Sequence, residues 1–264
     1  MSDVFAGKGA LLTEDGLNEA LGILGTDQPE LWAVLSVETA GFGYLPDRRP
    51  RILFERHVFR RETDGRYDDR YPDLSNRQPG GYLSGAREYD RLNAAILLDR
   101  TAALSSTSWG LGQVMGFNAT DAGFSDVETM VQEMVDSEKA QLLGMATWIE
   151  GRGIAGALRA HRWTDFAKAY NGPGYRKNQY DTRLAACYQQ FKVGPVPDLT
   201  VRAVQFYLTC LGYDPRSIDG IAGRFTRSAI QEYQTRNSLP ITGQPSIALA
   251  QRLEGDVVRD AGSV

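Results

Sequence analysis

The stretch Lys192-Val193-Gly194-Pro195-Val196-Pro197 limits what this chain can fold into more than any other. Two prolines and a glycine within six residues forbid a helix and favour an extended connector. With 264 residues to place, the break predicts a large first domain over 1–191, a linker over 192–197 and a small second domain over 198–264.

Helical patterns dominate before the break. Leu17, Ala20, Leu21 and Leu24 recur at helix spacing and stop at Gly25. Asp27-Gln28-Pro29-Glu30 reads as a helix start, with an Asp cap, Pro in the first turn and Glu at the capping-box position. That helix continues through Leu31, Val34 and Leu35 to Glu38. The β-rich run from Ile52 to Phe59 reads as a short strand or a buried turn, and 60–83, polar and rich in Gly, Pro, Asp and Arg, as a long surface loop. Helices are expected over 87–98, 165–170 and 180–191. The longest should start at a Ser125 and Glu128 capping box and run to Ile149, with its stripe along Val127, Met130, Val131, Met134, Gln141, Leu142, Met145 and Trp148. After the break, Val201, Val204, Leu208 and Leu211 predict one helix ending at Gly212. Thr226 is placed to cap a second, bearing Ala229, Ile230 and Tyr233. Ile218-Asp219-Gly220 and Ile241-Thr242-Gly243 form a weak internal repeat, each turn followed by a candidate helix.

Composition removes several function classes. The net charge is -4 with the signs mixed along the chain, so no basic tract points to nucleic acid or an anionic membrane. No run of about eighteen apolar residues could span a bilayer. Met1 to Leu12 carries one lysine and a short apolar stretch, too weak for a secretory signal, and synthesis in the cytoplasm is expected. Cys187 and Cys210 fall on either side of the break and read as buried thiols; two cysteines exclude a disulfide framework. With only His57 and His161 beside them, a three-ligand zinc site is disfavoured, and no metal or other cofactor is expected. Neither a Gly-x-Ser-x-Gly elbow nor a Walker loop occurs.

Glu38 is the residue best placed for chemistry. It shares a helix face with Leu31, Val34 and Leu35, and Thr39-Ala40-Gly41-Phe42-Gly43 follows, small and flexible enough for a ligand to approach. A carboxylate on an apolar face loses solvation and is expected to hold its proton, as a glycosidic general acid must. The same pattern also fits a buried glutamate satisfied by an arginine. Glu138, among Met134, Gln141 and Leu142, reads as one half of a buried ion pair.

A resemblance favours the first reading of Glu38. Ser36-Val37-Glu38-Thr39-Ala40-Gly41 resembles the catalytic-glutamate segment of goose-type lysozymes and lytic transglycosylases. Thr107-Ser108-Trp109-Gly110-Leu111-Gly112-Gln113-Val114-Met115 resembles their Gly-Leu-Met-Gln segment, and Ala169-Tyr170-Asn171-Gly172-Pro173-Gly174 their Ala-Tyr-Asn-Ala-Gly segment, in the same order. The stretch from Leu31 to Phe191 is closer still to the N-acetylmuramidase domain of phage endolysins, through Ile52-Leu53-Phe54-Glu55-Arg56-His57 and Tyr170 to Tyr175. Residues 198–254 resemble the type 1 peptidoglycan-binding domain, with Thr242-Gly243 where that family commonly has Asp-Gly.

The resemblance implies a mainly α chain, a lysozyme-like α+β catalytic domain followed by a small three-helix peptidoglycan-binding domain. It implies a monomeric muramidase that cuts glycan strands between N-acetylmuramic acid and N-acetylglucosamine, with Glu38 as acid. Such a lysis protein would be made in the infected cell and reach the wall after release across the inner membrane. Glu55 and Asp47, both shortly after Glu38 in the sequence, are the candidates for a second carboxylate, Glu55 as the base and Asp47 otherwise beside the substrate; an ion pair with Arg56 or the positioning of a loop is the competing role for Glu55. Trp109, Gly110, Gln113, Tyr170, Asn171 and Tyr175 are expected around the sugar, with Gly110 and Gly112 letting backbone approach the ring and Gln113 bonding an acetamido group. Core packing is the competing role for Trp109 and Tyr170. Asp219, Phe225 and Tyr233 are candidate wall contacts. Two alternatives stay open: a lytic transglycosylase leaving 1,6-anhydro ends, and a non-catalytic wall-binding protein.

Overall fold

The computed structural model describes residues 5–261. Residues 1–4, part of the stretch read against a secretory signal, and 262–264 lie outside the described residues. In chain order the elements are α1 (Glu14–Leu24), α2 (Gln28–Thr39), β1 (Ile52–Phe54), α3 (Arg56–Glu62), α4 (Glu88–Ile96), α5 (Arg100–Ser105), β2 (Thr107–Trp109), β3 (Val114–Met115), α6 (Val127–Asp136), α7 (Glu138–Gly151), α8 (Ala155–Arg159), α9 (Trp163–Asn171), α10 (Tyr180–Val193), α11 (Leu199–Cys210), α12 (Arg224–Arg236) and α13 (Ile247–Ala261). The chain is mainly α with one small sheet, as expected. Among the described residues no helix is long and apolar enough to cross a membrane.

Two compact units form, Met1–Asp27 with Gly43–Arg183, and Gln28–Phe42 with Leu184–Val264. In the first, α1 packs on α7, and the Thr13 side chain and Gly25 cap α1 at its two ends. The predicted long helix is instead two. Asp126, not Ser125, caps α6 by accepting from Thr129 N–H, and Ser137 is extended between α6 and α7. The reason is tertiary: Ala10 N–H donates to Asp136 C=O and Glu138 N–H to Ala10 C=O, both at 2.9 Å, so the amino-terminal segment pairs where the helix would have run. Glu138 is fully buried, and its carboxylate accepts backbone N–H from Leu12 and Gly43 at 3.0 Å each.

The sheet is antiparallel in the order β1-β2-β3, pairing Ile52 with Trp109, Leu53 with Ser108 and Phe54 with Thr107, then Ser108 with Met115 and Trp109 with Val114. Side chains alternate across a strand. Ile52, Phe54, Thr107, Trp109 and Val114 therefore share one face, all of them buried, while Leu53, Ser108 and Met115 share the other, where Leu53 and Met115 are half-open.

In the second unit, α11 packs against α12 and α13. Thr226 lies inside α12 rather than capping it; Gly223 is the cap. Gln205 explains why Thr226 is buried: its side-chain amide donates to Thr226 Oγ1, Asp219 Oδ1 and the Ile221 carbonyl, and its oxygen accepts Gly220 N–H at 2.8 Å. Gln234 does the same for the second turn, accepting from Thr242 N–H and Gly243 N–H and donating to Thr242 Oγ1. The weak repeat in the sequence is thus a repeated device, a buried glutamine amide holding a Gly turn. Cys187 and Cys210 are half-buried thiols rather than the fully buried ones expected.

Candidate active site

Helix α2 is buried nearly all round, from Glu30 to Leu35 and again at Val37 and Thr39, whereas Ser36 and Glu38 are half-buried. Glu38 is therefore not on a buried stripe. It is one of the open positions in the last turn of α2. The chain turns away directly afterwards: Ala40 and Gly41 have φ of 56° and 79°, and Gly41 N–H returns to the Leu35 carbonyl at 3.0 Å. In the same unit Arg202 Nε donates to the Gly41 carbonyl at 2.8 Å, its guanidinium lies 4.4 Å from the Phe42 ring, and Phe42 meets Phe206 at 4.6 Å. The loop behind Glu38 is therefore fixed by α11.

Glu55 directly follows β1 in the first unit and stands at the cap position of α3. It is extended, its N–H donates to the Ser106 carbonyl at 2.9 Å, and strand alternation puts its side chain on the half-open face with Leu53. Tyr82 O–H lies 3.1 and 2.9 Å from the two Glu55 oxygens, and His57 Nδ1 lies 3.1 Å from Oε2. Burial first, then the Glu55 charge, pushes the Tyr82 hydroxyl up to about 12, so it remains a donor at neutral pH. Asp47 is occupied otherwise, accepting from the Arg49 backbone and guanidinium on an exposed loop.

Gln113 lies at the β2–β3 turn with φ of 50°. Its oxygen accepts from Ser108 Oγ at 2.9 Å, and its amide donates to the carbonyls of Gly110 and Arg51. It holds the turn, where an acetamido contact was expected. The glycines also serve a different end. A Cβ on Gly110 would lie 2.5 Å from the Gln141 side chain, and one on Gly112 2.6 Å from Met145, so both glycines permit the close approach of α7. Trp109 is fully buried, its indole N–H donating to the Leu104 carbonyl and its ring 5.6 Å from Phe5; it is a core side chain.

Tyr170 is half-buried, stacked on Phe166, edge-on to Trp148, and donates its hydroxyl to the Gly112 carbonyl at 2.6 Å. This bond brings together the Gly110–Gln113 and Ala169–Gly174 segments, 58 residues apart at the bonded pair. Asn171 ends α9, half-buried, and Tyr175 is buried beyond it. Sequence reasoning missed Tyr82; an aromatic following Gly80-Gly81 was the available signal.

In the wall-binding candidate, Asp219 stabilises its own turn, accepting from Gln205, Ile221 N–H and Ser217 Oγ. Tyr233 is buried, its hydroxyl tied to Asp256 and Arg252, and lines a polar cavity of about 260 Å³ with Tyr213, Asn237 and Asp256. No candidate catalytic carboxylate lines that cavity. Phe225 is exposed, with Arg216 and Arg224 over its ring at 5.0 and 4.5 Å. Among the described residues no group of three His, Cys, Asp or Glu side chains could hold a metal ion.

Residues 27–192 match the N-acetylmuramidase family, and residues 198–253 match a putative peptidoglycan binding domain. Among solved structures, the chain is similar to the crystal structure of the Burkholderia AP3 phage endolysin. They share 36% identity over 73% of each chain, with a TM-score of 0.63. No curated protein matches the chain.

Proposed function

The chain belongs to the N-acetylmuramidase family, and from that membership we propose that it hydrolyses the β-1,4 bond between N-acetylmuramic acid and N-acetylglucosamine, with Glu38 as general acid. The observation that carries the reading is the half-open place of Glu38 in the last turn of an otherwise buried helix, at a left-handed turn anchored by Arg202. The last turn of a helix is an unfavourable place for a negative charge, which suits a carboxyl that must arrive with its proton.

The chemistry follows. The Glu38 carboxyl gives its proton to the glycosidic oxygen as the bond from the muramic anomeric carbon to that oxygen breaks, releasing the N-acetylglucosamine hydroxyl. Water attacks the anomeric carbon, and Glu55 takes the proton that water sheds. Glu55 suits the base role because its carboxylate is half-buried and held in place by the Tyr82 hydroxyl. A transglycosylase, in which the muramic 6-hydroxyl replaces water, gives such a carboxylate less to do. The segment at 198–253 tethers the enzyme to peptidoglycan and raises its local substrate concentration. By its likeness to a phage endolysin, the protein acts on the host wall after release from the cytoplasm.

Glu38→Gln keeps the shape and removes the transferable proton, so glycan release from purified walls should fall about 10²–10⁴-fold while folding and wall sedimentation persist. A folded Glu38→Gln protein with ordinary turnover overturns the assignment. Glu55→Gln should lose activity on a similar scale; full activity there removes the base role.

A further inference from the structure

Tyr82 is held as though its place matters. Its segment turns sharply, with φ of 116° at Gly80, 76° at Gly81 and 63° at Ser84. Both ends are clamped by side chains rather than by secondary structure. On one side Arg56, the residue after Glu55, donates to the Gln78 and Pro79 carbonyls at 2.8 and 3.2 Å. On the other, Glu88 accepts from the N–H groups of Leu83 and Ser84, and Arg91 donates to the Gly80 carbonyl at 3.4 Å.

Glu88 and Arg91 form a buried ion pair at 3.1 Å, with side-chain exposures of 0% and 6%. The same pair holds the strand end that carries Glu55: Glu88 accepts Phe54 N–H at 3.3 Å and Arg91 donates to the Phe54 carbonyl at 3.0 Å. A buried pair contributes little net stability, and its cost is understandable when it fixes geometry. Here it locks into one frame the residue before Glu55 and the segment that presents Tyr82. The Tyr82 ring stays 43% exposed, so burial of the ring is not what holds it there. What it delivers is a hydroxyl within bonding distance of both Glu55 oxygens.

We propose that Tyr82 is a positioning residue for the reaction: its hydroxyl fixes the orientation of the Glu55 carboxylate, and the Glu88–Arg91 pair sets the register between the two. One hydroxyl proton lies between the two carboxylate oxygens, so it sets the direction of the carboxylate while filling only one of its acceptor positions. A tyrosine hydroxyl ordinarily titrates at about 10, so Tyr82 carries its proton at neutral pH and donates to Glu55. The proposal rests on the reading of Glu55 as the base.

Tyr82→Phe removes the hydroxyl and keeps the ring. It should lower kcat about ten-fold or more on soluble glycan fragments, the scale of one hydrogen bond to a charged group, with KM and melting temperature unchanged. A double-mutant cycle with Glu55→Gln supplies the readout that a structural role would not move: with the carboxylate gone, Tyr82→Phe should cost less than two-fold more. Ordinary kcat in Tyr82→Phe beside a crippled Glu55→Gln overturns this proposal alone. So does an equal loss in the Glu55→Gln background, or a fall in melting temperature that tracks the loss of activity. An ordinary kcat in Glu55→Gln overturns both this proposal and the reading of Glu55.

Discussion

Replacing Arg202 with methionine tests whether the helix bearing Glu38 depends on a residue far along the chain, inside the segment that matches a peptidoglycan-binding domain. Arg202 is 1% exposed, donates to the Gly41 carbonyl at 2.8 Å and lies over Phe42. Methionine keeps much of the apolar contact and removes the donor and the charge. Leaving a buried carbonyl without this donor costs ~1–3 kcal/mol. Losing the guanidinium from the Phe42 face adds up to about 2 kcal/mol, which the retained methionine packing partly offsets. A net loss of roughly 2–3 kcal/mol lowers Tm by about 8–24 °C at ~4–8 °C per kcal/mol for a unit of about 100 residues. Because Gly41 follows Glu38 by three residues, turnover on soluble glycan fragments, which need no wall tethering, should also fall at least about ten-fold, since small misplacements of a catalytic group are costly. Calorimetry and a fragment-release assay measure the two effects. A variant with unchanged Tm and full turnover, deficient only in sedimenting with walls, would refute the coupling.

Other substitutions probe the frame around the site. Gly110→Ala must adopt φ of 66° and bring a methyl within 2.5 Å of Gln141, which should cost ~2–5 kcal/mol from backbone strain and overpacking; a urea-unfolding loss below about 1 kcal/mol would contradict the packing role. Gln205→Leu strips the amide that holds Gly220, Asp219 and Thr226 and should weaken wall sedimentation while leaving fragment turnover near normal. Equal losses in both assays would show that the turn does not serve binding. The Asp126 carboxyl is held below its ordinary range, chiefly by Thr129 N–H at the start of α6. Its contribution is therefore present above the unfolded value of about 3.9 and is lost as pH falls through the lower folded value. Thermal melts of Asp126→Asn should show a shallower loss of stability below about pH 4 than the parent; parallel curves would remove Asp126 from the acid limb.

Local chemistry wrote much of the fold legibly. The periodicity that ends at Gly25 is α1, and the Asp27-Gln28-Pro29-Glu30 start begins α2 at Gln28. The break at Ser137 was not legible, because the apolar period continues across it and only the distant Ala10 interrupts the helix. The short helices α3, α5 and α8, of seven, six and five residues, carry too few turns to show a period. In the site, Glu38 and Glu55 could be named from segment patterns, since each lies beside its own strand or helix signal. What those carboxylates touch could not be read. Tyr82 reaches Glu55 from 27 residues further along the chain, and what a glycine such as Gly110 faces depends on α7, not on the glycine's neighbours in sequence.

Hydrolysis at the muramic anomeric carbon is reported directly by the ends left on the glycan. Purified peptidoglycan digested with the enzyme in ¹⁸O-labelled water, then analysed by mass spectrometry, should yield fragments with reducing N-acetylmuramic ends that carry one ¹⁸O. Fragments ending in 1,6-anhydromuramic acid without label would show that no water enters the bond and would contradict the account.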